Sequence, residues 1–222
     1  CLPRLACCAI MSAEWTTVPA AARALRTTNP IRAIVDNLKS PPNPNKEVIS
    51  LSIGDPTLFG NFQPPTEIID EFTRVLRDSK HNGYPPSVGY QSARDAIAKH
   101  YSIPEAPVTA ADVIICSGCS GAIEMCISGL ADEGQNILLP KPGFSLYQTV
   151  AEARGIEVRY YDLLPDRGWE ADLDHVRSLI DSKTALLLVN NPSNPCGSNY
   201  SEQHLRDIVA GMSFIILSRA RC

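Results

Sequence analysis

Five consecutive residues, Cys116, Ser117, Gly118, Cys119 and Ser120, put hydroxyls, thiols and a glycine into one short stretch. Upstream, Val113, Ile114 and Ile115 read as the end of a short buried strand. Downstream, Ile123, Cys126, Ile127 and Leu130 recur at helical spacing. Strand, glycine turn and helix in that order aim free backbone N–H groups and the positive end of a helix dipole at one point, which suits an anion such as a phosphate. Ser117 and Ser120 add hydroxyl donors. The stretch is neither G-x-G-x-x-G nor G-x-x-x-x-G-K-[ST], so the dinucleotide and P-loop readings lose their motif. A rival reading stays open: Cys116-x-x-Cys119 at a helix start has the spacing of a thiol–disulfide pair.

Two later loops carry further chemistry. Pro142-Gly143-Phe144 follows a short strand at 136–139. Residues 190–197 follow the continuous apolar run 185–189, which suits a strand buried on both faces. Loops just past strand ends are where open α/β sheets place ligands. Phe144 offers an aromatic face, or fills a core. Asn194 offers an amide, or is a turn residue; like Asn191 it precedes a proline and is pushed to extended geometry. An anion cup, an aromatic face and an amide donor are what a flat, phosphorylated, phenol-bearing ring requires. Nearer the N-terminus, Gly54-Asp55-Pro56 is a turn that either caps or lines a pocket. Tyr84 sits in a Pro/Gly-rich loop that either covers a core edge or holds a tyrosine hydroxyl in place.

The elements needed to position these loops are legible from periodicity. Helices are expected at 30–38, 65–80, 89–101, 145–154, 172–180 and 201–209, the last capped by Ser201. In the second of these, Ile68, Ile69, Phe72, Val75 and Leu76 form a stripe expected to be buried. In the third, Ala93, Ile97 and Tyr101 share one side. Strands are expected at 48–53, 113–115, 136–139, 157–161 and 185–189, and residues 214–217 have the composition of one more. The alternation predicts an α/β fold with a mainly parallel sheet and helices on both faces.

The 222 residues bear a net charge of −4 and hold no lysine/arginine block, which removes support for nucleic-acid or membrane-surface binding. No apolar run approaches the roughly 20 residues of a spanning helix. The eight cysteines are clumped, as reduced cytoplasmic thiols rather than disulfide staples would be, and the four histidines stand singly, so no metal site is expected.

Taken together, several stretches resemble the class I/II aminotransferases of fold type I, which use pyridoxal 5'-phosphate. They are residues 29–36, 49–56, 82–84, 117–120, 142–147 and 190–197, spanning about 15–209. The resemblance implies the large, mainly parallel cofactor domain of that fold in truncated form, plus part of its small N-terminal segment. It implies transfer of the amino group of an aromatic amino acid, L-tyrosine, to 2-oxoglutarate, in a homodimer located in the cytoplasm or the mitochondrion. Residues Ser117, Gly118, Cys119 and Ser120 would hold the cofactor phosphate, Phe144 would stack on the ring, and Asn194 would donate to its phenolic oxygen. Tyr147 would support the pocket, Tyr84 would reach the phosphate of a neighbouring subunit, and Gly54 and Asp55 would lie near the substrate. The implied organisation is a leader at 1–14, an arm and small-domain segment at 15–80, a partial cofactor domain at 81–209 and a divergent tail at 210–222.

In that family the Schiff-base lysine lies in a Ser-x-x-Lys stretch and the ring-nitrogen carboxylate in Asp-Glu-x-Tyr. Neither pattern occurs here, since no lysine of the chain has a serine three residues before it. The expectation is therefore a chain with no catalytic residue of its own, inactive alone. The other readings are a redox module on Cys116 and Cys119, and a non-catalytic chain that associates with complete subunits.

Overall fold

The computed structural model describes residues 17–38, 43–46, 49, 54, 55, 57 and 62–219, with side chains up to 211. The expected leader at 1–14 and nearly all of the expected strand at 48–53 lie outside the described residues. In chain order the elements are α1 (Ala22–Arg26), α2 (Pro30–Val35), α3 (Thr66–Asp78), α4 (Gln91–Tyr101), α5 (Gly118–Leu130), β1 (Asn136–Lys141), α6 (Leu146–Ala153), β2 (Glu157–Leu164), β3 (Glu170–Ala171), α7 (Leu173–Leu179), β4 (Thr184–Leu187) and α8 (Glu202–Arg219). They fall into two units, one of residues 30–129 and one made of the chain before 30 and from 130 onward.

In the 30–129 unit, α3 has the charge order of a stable helix. Glu67 lies in its first turn and Arg77 in its last, each favourable to the dipole. Arg74 adds ion pairs to Glu71 at 2.6 Å and Asp78 at 3.2 Å. The helix ends where Ser79 turns left-handed at φ 56°. Its apolar stripe is not buried as expected: Phe72 is 65% exposed, and Ile68, Ile69 and Leu76 are exposed too. Periodicity predicted the helix, but no described element covers its apolar face. On α4 the buried residue is Ala98, whereas Ile97 and Tyr101 are exposed.

The other unit is built on a four-stranded sheet in the order β3-β2-β1-β4. β1 runs parallel to both β2 and β4, and only the short β3 is antiparallel, so the sheet is mainly parallel as the sequence predicts. Central β1 is apolar from Ile137 to Pro140, and its first five residues, Asn136 included, are buried, as a strand covered on both faces must be. Leu138, Tyr161, Leu163, Ala171, Val176, Tyr200 and Ile208 form the core. The buried Tyr161 hydroxyl donates to the Leu188 carbonyl at 2.9 Å, and burial pushes its pKa well up. β4 departs from expectation. Only Thr184 is buried and the rest is half-buried, because β4 is the edge strand of the sheet that the described residues form, paired there on one side. Residues 113–115 also depart: they form no ladder with any described strand. α8 begins where expected, with Ser201 Oγ accepting from the His204 N–H at 3.2 Å. It then runs on to Arg219, so 214–217 is helical rather than a strand.

Asp181 ties the sheet at its base. It accepts from the amide of fully buried Asn136 at 2.9 Å and from the Lys183 N–H at 2.8 Å, and it pairs with Arg159 at 2.8 Å. The Asn136 bond first, then Arg159, holds its carboxyl far below the ordinary value of 3.8. A depressed folded-state pKa stabilises the fold above the ordinary value and ceases to do so as pH falls through the lowered one. Asp181→Ala leaves the Asn136 amide buried without an acceptor, at a cost of about 1–3 kcal/mol. Urea unfolding at neutral pH should show that loss, and the difference from the parent should shrink as the pH is taken below 3.8.

Candidate cofactor site

Helix α5 begins at Gly118, whose φ of +66° is a left-handed value that a Cβ would strain. Among the described residues nothing lies within 4 Å of the position a Cβ would take there. A helix start leaves its first N–H groups without intrahelical acceptors. Among the described residues no acceptor meets the N–H of Cys119 or Ser120. The Gly118 N–H donates to Cys116 O at 3.0 Å, and the Cys116 thiol turns back to the Gly118 carbonyl at 3.5 Å. Residues Ser117, Gly118, Cys119 and Ser120 are all exposed. The four cysteines described, Cys116, Cys119, Cys126 and Cys196, are free. The cup of small residues is therefore present with open donors, although no strand of a ladder among the described residues leads into it.

In the sheet unit, two loops leave the C-terminal ends of the adjacent parallel strands β1 and β4 and so share one sheet edge. In the first, Phe144 is half-buried and Tyr147 is buried; their rings meet edge to face at 5.7 Å and 89°. Tyr147 thereby braces the ring plane of Phe144 by an edge-to-face contact. The second loop is braced from within. Asn190 Oδ1 accepts from the Asn194 N–H at 2.7 Å, and Asn191 Oδ1 accepts from the Tyr200 N–H at 2.9 Å. Gly197 N–H donates to Ser193 O at 2.8 Å, and Ser193 N–H to Ser198 O at 2.9 Å. The sequence reading did not give Asn190 and Asn191 this bracing role. The signal was available, since Asx side chains just ahead of prolines in a loop commonly close onto nearby backbone N–H groups. The Asn194 side chain itself is exposed and engages no described residue.

The remaining sequence-predicted residues belong to the 30–129 unit. Asp55 accepts from both the N–H and the hydroxyl of Thr57, at 2.8 and 2.7 Å, and these bonds lower its pKa. Gly54 is exposed, and Tyr84 is fully exposed. Among the described residues no cluster of three or more His, Cys, Asp or Glu side chains is placed to hold a metal ion, and no helix is long and apolar enough to cross a membrane.

Residues 46–217 match the family Aminotransferase class I and II. The chain belongs to that family. Among aminotransferases it is 58% identical over 198 residues to the tyrosine aminotransferase of Mus musculus and 57% to that of Homo sapiens. Each of these matches covers 89% of this chain but 43% of the relative, so the chain spans less than half the length of the curated aminotransferases it matches. The crystal structure of tyrosine aminotransferase from Leishmania infantum superposes with a TM-score of 0.81 at 34% identity, over 90% of this chain and 52% of that one.

Each unit, taken by itself, carries groups of the kinds that the phosphorylated pyridine ring implied by the family resemblance would need. In the 30–129 unit, Cys119 and Ser120 of the cup offer N–H donors that meet no acceptor among the described residues. Phe144 offers a ring whose tilt is set, and Asn194 an uncommitted amide. Ser145 Oγ and Ser198 Oγ, one in each sheet-edge loop, are buried and meet no hydrogen-bond partner among the described residues, as polar atoms that a ligand or a water satisfies do.

Proposed function

We propose that this chain carries the cofactor-holding part of a pyridoxal-phosphate-dependent aminotransferase that passes the amino group of L-tyrosine to 2-oxoglutarate. The observation that carries the reading is the 58% identity to a tyrosine aminotransferase across 89% of the chain. The cofactor, when bound, supplies the electron sink for the electrons released at the substrate α-carbon. Ser117, Gly118, Cys119 and Ser120 hold its phosphate, by the open N–H groups of Cys119 and Ser120 and the hydroxyls of the two serines. Phe144 gives the ring an apolar face, Tyr147 keeps that face at its angle, and Asn194 donates to the phenolic oxygen. Gly54 and Asp55 line the substrate side. Tyr84 reaches the phosphate of a second subunit, so the working enzyme is a homodimer. Residues 81–209 are the cofactor domain in this reading, and 15–80 the arm and small-domain segment. The free cysteines support a cytoplasmic location.

A chimera tests this directly. Residues 46–209 joined to the C-terminal portion of the mouse enzyme should transaminate tyrosine with 2-oxoglutarate. A folded chimera without that activity sinks the reading. In the active chimera, Asn194→Ala removes one donor to a charged oxygen and should weaken cofactor retention about tenfold or more, read by cofactor release on dilution.

A further inference from the structure

The approach to the phosphate cup is held in an unusual way. Residues 113–116 form no ladder with any described strand, so no register among the described residues fixes them. Among the described residues, the one backbone bond that residues 114–117 make to a distant part of the chain is Ile115 N–H to Val88 O, at 3.0 Å. Val88 precedes Gly89, which closes a turn through its own N–H to Pro86 O at 2.8 Å and adopts φ +97°. A Cβ built on Gly89 would lie 2.8 Å from both Cβ and Cδ1 of Ile115 and 2.9 Å from Cγ1. The bare Cα of Gly89 is thus the surface on which Ile115 rests. Arg94 locks the same point, with Nε donating to Gly89 O at 3.2 Å and a terminal nitrogen to Ala110 O at 2.5 Å. Ala110 opens the short turn Ala110–Asp112, closed by Thr109 and Asp112, from which 113–116 emerges.

We propose that Gly89 is a positioning residue for the phosphate cup: it seats Ile115, two residues before Ser117, and so sets where the open N–H groups of Cys119 and Ser120 point. The inference rests on the reading of 117–120 as the phosphate site. A side chain at 89 has two ways to disturb that seat. It strains a left-handed backbone, and it pushes the β-branched Ile115, which has few rotamers to escape into.

The test uses the full 222-residue chain and two probes without an aldehyde, pyridoxamine phosphate and pyridoxamine. The ratio of their dissociation constants isolates the contribution of the phosphate. The parent should prefer the phosphorylated probe by about tenfold or more, given a cup of charge-assisted donors at a helix start. Gly89→Ala should cut that preference at least about fivefold while leaving pyridoxamine binding unchanged. Ile115→Phe, which presses on the same spot with Gly89 intact, should do likewise. Gly89→Ala combined with Ile115→Gly, which removes all three Ile115 atoms that the new Cβ would meet, should recover part of it. A general loss of stability would weaken both probes alike and leave the ratio alone. An unchanged ratio in folded Gly89→Ala, or in Ile115→Phe if Gly89→Ala does not fold, overturns the role of Gly89 while the site reading stands. A parent with no preference for the phosphorylated probe overturns both.

Discussion

A polypeptide of these 222 residues, given L-tyrosine, 2-oxoglutarate and pyridoxal phosphate, should form no more keto acid product than free pyridoxal phosphate forms beside an inert protein. Family chemistry as the resemblance implies it needs two groups besides the cup, the aromatic face and the amide. One is a lysine amine to bind the cofactor covalently and move the proton at the substrate α-carbon. The other is a carboxylate that keeps the ring nitrogen protonated. The Ser-x-x-Lys and Asp-Glu-x-Tyr patterns that would carry them are absent from these residues. The groups that are present bind and orient, which lowers a dissociation constant without lowering the barrier to proton transfer. Enzymes accelerate their reactions by roughly 10⁶-fold or more, so the difference between the two outcomes is easily read. Keto acid release at the rate of a complete tyrosine aminotransferase would show that one of the chain's own lysines does the work. Restoration in the chimera then becomes the complementary result, because the graft supplies both groups.

What the sequence revealed of the fold divides along the range of the forces involved. The helices α3, α6 and α7 were legible because their signals are local: 3.6-residue periodicity, and for α7 a cap in which Asp172 accepts from the N–H groups of Asp174 and His175. The α3 stripe shows the limit. An apolar face at helical spacing says that a partner surface is favourable, not that one is there, and Ile68, Ile69, Phe72 and Leu76 remain exposed. Residues 113–115 fail for a related reason. Three β-branched residues favour extended backbone, and Val113 has it at φ −117° and ψ 125°, but a strand also needs a neighbour to bond with. The half-burial of β4 depends on edge position, which no local pattern encodes. For the site, residue types at loop positions were readable, and the parallel order correctly brought the loops of Phe144 and Asn194 to one sheet edge. The braces Asn190 and Asn191 and the seat at Gly89 were not, because each works through a contact whose partner the sequence does not name.

The largest effect on stability should come from the centre of β1. Leu138 has no exposed surface and lies in the core with Tyr161, Leu163, Val176 and Ile208. Its backbone is committed on both sides, level with Arg159 in β2 and Leu187 in β4. Leu138 O also accepts from the Leu188 N–H at 3.0 Å, so the strand cannot shift to fill a gap. Leu138→Ala should therefore leave most of its cavity open and cost about 2–5 kcal/mol. Against a total of roughly 5–15 kcal/mol for a folded domain, that is a large share of the margin. Trp169, packed against this cluster, reports the transition by its fluorescence in urea. With slopes of about 1–3 kcal/mol per molar urea, the midpoint should fall by at least about 0.7 M. The matched control is Val209→Ala on α8, one residue from buried Ile208 but itself 66% exposed. It should move stability by no more than about 0.5 kcal/mol, since an exposed site opens no cavity. Equal midpoint shifts in the two variants would mean that the buried face of this unit is not the one assigned to β1.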